Sequence, residues 1–167
     1  MIILGVDPGS IRTGWGVIER RGPRLRGIAS GVIQAGAGRD LHLRLHTIHE
    51  QLVEVIRTHN PQSMAVEDVF FAKNARSALV LGQARGVCLL AGASAGLAVV
   101  AYSPALVKRS VAGRGQAPKD QLARIVGAML QLKTLPLADA TDALAIAITH
   151  ANSSRAQELL SRPRRSR

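Results

Sequence analysis

Short apolar runs and longer helical stripes alternate along the chain, and each change of period marks a change of element. Ile2-Ile3-Leu4-Gly5-Val6 is a β-branched run that stops at Asp7 and the Pro8-Gly9 turn, which predicts a buried strand with a carboxylate at its carboxyl end. Thr13 to Ile18 returns to strand character too soon for a helical crossover, so these two strands pair antiparallel. Leu25 to Gln34 completes a meander, with Gly27, Gly31 and Gly36 at bends or close approaches. From Leu41 the period lengthens: Leu41, Leu45, Ile48, Leu52 and Ile56 fall at helical spacing until Asn60-Pro61 stops them. Met64 to Val69 is a further strand that again ends in acids, Glu67 and Asp68. Beyond it the pattern predicts a helix from Ser77 to Ala95 crowded with glycine and alanine, and a strand from Ala98 to Tyr102. A short helix starts at Pro104, another runs from Asp120 to Leu132, and the last starts near Asp139 and runs through Ile148.

Strands mixed with helices over 167 residues make an α/β chain with one domain and enough aliphatic material for a core. Charge changes the picture more than length does. Lys and Arg number 22 against 11 acids, a formal net charge of +11, which on a compact apolar domain points to a polyanionic partner, most often nucleic acid. The single cysteine, Cys88, lies in an apolar run and reads as a core residue in a reducing compartment. With no charged leader and no apolar run of spanning length, the expected location is cytoplasmic, with no membrane partner.

Candidate chemistry gathers at the ends of core elements. Asp7 and Glu67 close two strands, and Asp139 and Asp142, three apart, share one face at the start of the last helix. Each acid has a plain alternative, since Asp suits turns and first helical turns. Four together are more than turns and caps require. Carboxylates so close repel unless divalent cations lie between them, and hard oxygen ligands select Mg²⁺, with Mn²⁺ as the substitute. Two such ions would clamp the attacking water and the leaving oxygen of a phosphodiester. Phe70 and Phe71, half of the aromatic residues, stand beside Glu67 and open a loop, which suits base stacking. The segment Gly113 to Lys119 is a basic loop suited to phosphate contacts. His42, His46 and His49 share a helix flank, but no cysteine or carboxylate completes a zinc set, so they read as face residues. An actin-like ATPase shares the strand–Asp–glycine-turn–strand opening, yet that group uses two such domains and a further glycine-rich phosphate loop, and neither is evident. A nucleic-acid-binding protein without catalysis is the other alternative.

Val6-Asp7-Pro8-Gly9-Ser10, Glu67 to Asn74, Gly82-Gln83-Ala84-Arg85-Gly86, Gly113 to Gln121 and Asp139 to Ala145 together resemble the RuvC family of Holliday junction resolvases, over residues 1 to 155. The resemblance implies a ribonuclease H-like fold, a five-stranded mixed β-sheet flanked by α-helices, acting as a homodimer on a four-way DNA junction. It implies Asp7, Glu67, Asp139 and Asp142 as ligands of two metal ions per site, with Lys108 and Lys119 as basic residues near the scissile phosphate and Lys119 counted as catalytic. The DNA-binding residues it implies are Phe70, Phe71, Lys73, Asn74, Arg76, Arg85, Lys108, Arg114 and Lys119. RuvA and RuvB are the implied protein partners. Asp139 stands where some members carry His, and Asp68 where some carry Gln. Residues 156–167, with Arg162, Arg164, Arg165 and Arg167, are expected as a disordered basic tail outside the resemblance.

Overall fold

The computed structural model describes residues 1–68, 74–113 and 118–160, with the helical backbone only for Lys119 and for 157–160. The meander is β1 (Ile2–Asp7), β2 (Arg12–Arg21) and β3 (Arg24–Gln34), followed by α1 (Leu41–His59), β4 (Ser63–Glu67), α2 (Ala75–Ser94) and β5 (Ala98–Tyr102). Three helices finish the chain: α3 (Pro104–Ala112), α4 (Lys119–Leu130) and α5 (Ala138–Leu160). The sheet order is β3-β2-β1-β4-β5. The meander pairs antiparallel, whereas β1 with β4 and β4 with β5 pair parallel, giving the expected five-stranded mixed sheet.

The period-2 alternation of the central strands sorts the core onto two faces. Leu4 and Val6 of β1 and Met64 and Val66 of β4 pack with Ile48, Leu52, Ala84 and Cys88 under α1 and α2. Ile3 and Ala65 pack on the other face with Val107, Val126, Leu144, Ile146 and Ile148 of the last three helices. Ala143 to Ile148 are all fully buried, so α5 is the central helix of that layer. Each buried Leu or Ile there stabilises the fold by roughly 1.5–3 kcal/mol.

Glycines of the first two strands decide how close α5 comes. A Cβ at Gly5 would overlap the Ala143 carbonyl, one at Gly14 the Asp139 carbonyl, and one at Gly16 the Leu144 side chain. Gly5 is registered opposite Gly16, and Asp7 opposite Gly14, so the three form a bare patch across two strands. The helix lies directly on sheet backbone there, and its first turn is set down beside Asp7.

α1 stops where the Asn60-Pro61 pair predicts: Asn60, with φ 43°, takes the left-handed region and donates its N–H to the Ile56 carbonyl. The last helix departs from the sequence expectation. It continues through Leu160, so residues 156–160 are helix and not tail; the remaining residues of the expected tail, 161–167, lie outside the described residues.

Candidate active site

The carboxyl edge of the parallel strands collects the acids. β1 and β4 are adjacent and parallel, with Val6 registered to Val66, so Asp7 and Glu67 leave the sheet side by side. Asp139 is brought in because its carbonyl rests on Gly14, the cross-strand partner of Asp7. Asp142 follows one turn later on the same helix face. All four side chains are half-buried.

Their proximity is written in the protonation of Asp7. Burial first, then the charges of Glu67, Asp142 and Asp139 and a hydrogen bond with Glu67, push its carboxyl up to about 8. A carboxylate so disfavoured marks a site arranged for something other than stability. Arg12 at the start of β2 brings Nε to 2.7 Å from Asp139 Oδ2, yet this buried oxygen lacks an aligned hydrogen-bond donor. Among the described residues no three His, Cys, Asp or Glu side chains are gathered closely enough to hold a metal ion as they stand. The four acids are an open set of oxygen donors, which fits a hard divalent cation sharing its coordination with water and substrate.

The loop after Asp7 is held from two sides. Thr13, fully buried, donates through Oγ1 to the Gly9 carbonyl at 2.8 Å, and Gly9 N–H donates back to that oxygen at 3.3 Å. Arg44 of α1 donates from one terminal nitrogen to the Ser10 carbonyl at 3.2 Å and to Ser10 Oγ at 3.3 Å. Arg12, Thr13 and Arg44 carry no sequence signal that sets them apart from other basic or hydroxyl residues.

The expected nucleic-acid residues divide. Arg76 is exposed at the start of α2 and, with Ser10, Ser77, Val80 and Leu81, lines a shallow cleft of about 240 Å³ next to the Asp7 loop. Lys108 is exposed on α3, which begins just past the end of β5, beside β4 and hence at the same sheet edge. Lys119 occupies the first turn of α4. Asn74 instead caps α2, its side-chain oxygen accepting from Ser77 N–H at 2.8 Å. Arg85 turns inward to Glu67 and Asp68. Phe70, Phe71, Lys73 and Arg114 lie outside the described residues. On the histidine flank His42 and His46 are exposed, and His46 Nδ1 lies 3.4 Å from Glu50. Cys88 is buried as expected, its thiol pushed up to about 12 by burial and by the charge of Asp7.

The family model for crossover junction endodeoxyribonuclease RuvC matches residues 3–150. The protein of that name from Geobacter sulfurreducens is 50% identical over 154 residues, covering 92% of this chain and 94% of its own. The one from Sorangium cellulosum is 48% identical over 92% of this chain and 86% of its own. Among solved structures, Thermus thermophilus RuvC in complex with a Holliday junction substrate superposes with a TM-score of 0.88 at 36% identity, covering 94% of this chain and 96% of that one. The yeast mitochondrial Holliday junction resolvase Ydc2 shares the fold, with a TM-score of 0.67 at 12% identity.

Proposed function

This chain belongs to the RuvC family of crossover junction endodeoxyribonucleases, and from that premise we propose that it resolves four-way DNA junctions by hydrolysing phosphodiesters at the edge where Asp7, Glu67, Asp139 and Asp142 meet. The observation that carries this reading is the convergence of those acids, with Asp7 raised to about 8 by burial and by the other three. Such a group is poised to exchange its proton for a cation. Asp7, Glu67, Asp139 and Asp142 would hold two Mg²⁺ ions, with Mn²⁺ as the substitute; when bound, such ions supply Lewis acidity and a water activated at neutral pH. The chain's own residues do the rest. Arg76 and Lys108 receive phosphates on the same edge, and Lys119, matched by sequence to the family's basic residue near the scissile phosphate, supplies a positive charge that stabilises the transition state more than the ground state. The Thr13 and Arg44 contacts keep the Asp7 loop from yielding as the strand is drawn in.

A homodimer matches the two-fold symmetry of a four-way junction. The outer face of α2 suits a second copy: Leu79 and Leu90 are 70% and 56% exposed, and the space over Gly82 and Gly86 is open. By length and composition α2 is also the one described helix apolar enough to cross a membrane, but Ala84, Cys88 and Ala91 on its inner face are built into the core, which favours protein contact. We place the enzyme in the cytoplasm, working with RuvA and RuvB.

The test is a labelled four-way junction and a linear duplex of the same sequence, each with and without Mg²⁺. Paired nicks on opposed strands of the junction alone, lost with EDTA, are expected. Tight binding without any cut would favour a non-catalytic junction-binding protein.

Phe70 provides a separate prediction. If its ring replaces a base neighbour when the strand at the cut is unpaired, worth about 1–3 kcal/mol, Phe70→Ala slows cleavage roughly ten- to a hundredfold without lowering the melting temperature. A junction with unpaired bases at the crossover should restore much of that rate. An equally slow rate on it would reject the wedge.

A further inference from the structure

Arg85 is turned inward to the end of β4, onto the residues that carry the site. Its Nε donates to the Glu67 carbonyl at 3.1 Å, and a terminal nitrogen stands 3.1 Å from Asp68 Oδ1. The Arg85 side chain is 23% exposed and that of Asp68 34% exposed, so the pair lies partly screened between α2 and the end of β4. Asp68 is held from the other side as well, its N–H donating to the Tyr102 carbonyl at 2.8 Å. The dipeptide that carries Glu67 is therefore clamped between β5 and α2, with one planar cation bridging the Glu67 backbone and the Asp68 side chain. We propose that Arg85 is a positioning residue for Glu67, and that Asp68 is the counter-ion that aims it.

The chemistry of the groups favours this over a phosphate contact. A guanidinium offers donors in a fixed fork, so engaging a carbonyl and a carboxylate together sets its plane and, through the carbonyl, the direction in which the strand end leaves the sheet. Turned inward in this way, the fork is committed before any phosphate arrives. Asp68 is as close to the acid cluster as Glu67 in sequence, and an added acid there would deepen the mutual repulsion already felt at Asp7; pairing with Arg85 removes that difficulty. Glu67 also hydrogen-bonds Asp7, so a shift of the β4 end moves two of the four acids. Misplacing a reacting group by about 1 Å costs up to a hundredfold in rate.

This inference rests on the reading of Glu67 as part of the nuclease centre. For Arg85→Gln, the single-turnover rate at saturating junction should fall about ten- to a hundredfold. Junction affinity in EDTA should stay within about twofold with an unchanged salt slope, since no phosphate contact is lost. Mn²⁺ affinity, measured by calorimetry without DNA, should weaken. Lysine has no fork, so Arg85→Lys should resemble Arg85→Gln. In Asp68→Asn the side-chain carbonyl still accepts from the guanidinium, and the rate should stay within about threefold of wild type, whereas Asp68→Ala should lose more. The double variant Arg85→Gln/Asp68→Ala should be no slower than Arg85→Gln alone. Weakened junction affinity with a shallower salt slope and a normal saturated rate would overturn the proposal and make Arg85 a phosphate contact. Wild-type rate and wild-type Mn²⁺ affinity in Arg85→Gln would also overturn it. If Arg85→Gln fails to fold, the same split of rate against affinity in Asp68→Ala decides. A wild-type protein that does not cut would sink the nuclease reading, while the Mn²⁺ titration would still report on Arg85.

Discussion

Asp7→Asn is expected to lower junction cleavage by about three orders of magnitude, the scale on which removing one charged partner of a transition state acts, while leaving junction affinity in EDTA unchanged. The same substitution should stabilise the metal-free protein at alkaline pH. Asp7 titrates at about 8 in the folded chain against an ordinary value of 3.8, so the native state holds a proton that the unfolded chain has already released. A group raised in this way favours folding below about pH 4, and that contribution is lost as pH climbs through 8. The neutral amide escapes that loss. In EDTA at pH 8 the variant should therefore melt above wild type, with the gap closing at pH 4 to 5. Cleavage within tenfold of wild type, or a variant that melts below wild type at pH 8, would return Asp7 to the rank of a turn residue.

Gly14→Ala should be nearly as damaging, though the position carries no functional group. Its Cβ would overlap the Asp139 carbonyl, a backbone atom that no rotamer change can move aside. Either α5 lifts from the sheet or the β2 backbone bends, at a cost of about 3 kcal/mol or more for such overpacking. Asp139 and Asp142 would then withdraw from Asp7 and Glu67. We expect cleavage to drop at least a hundredfold even where the variant remains folded at 20 °C. Gly22→Ala is the control. That glycine has open space around it and only its φ of 58° to lose, so the variant should cost about 1 kcal/mol and leave the cleavage rate alone. Normal cleavage by Gly14→Ala would mean that α5 is not seated by the glycine patch.

The sequence carried the strands and helices because their apolar periods are unambiguous, and it carried the four acids because each ends such a period. What it left open is contact between distant segments. Gly14 and Gly16 are two apart on one strand face, and Gly5 lies on the strand before, so a bare patch was readable in principle; only the β1–β2 register puts Gly5 opposite Gly16 and gives α5 its place. Arg85 and Asn74 belong to basic and polar segments that suit nucleic acid equally well by composition. The fold assigns them inward, Arg85 to the end of β4 and Asn74 to the first turn of α2. Arg12 illustrates the same limit, being separated from Asp139 by most of the chain until α5 folds back onto β2. The extension of α5 to Leu160 lacked a signal because Ser153 to Glu158 are polar apart from Ala156 and present no apolar stripe.

The central claim is that these four acids form one metal centre, and an anomalous-difference map from crystals soaked in Mn²⁺ tests it directly. Density is expected among the carboxylates of Asp7, Glu67, Asp139 and Asp142, and absent in Asp7→Asn crystals soaked alike. A map with no peak there, from protein that still cuts a junction in EDTA, would contradict it.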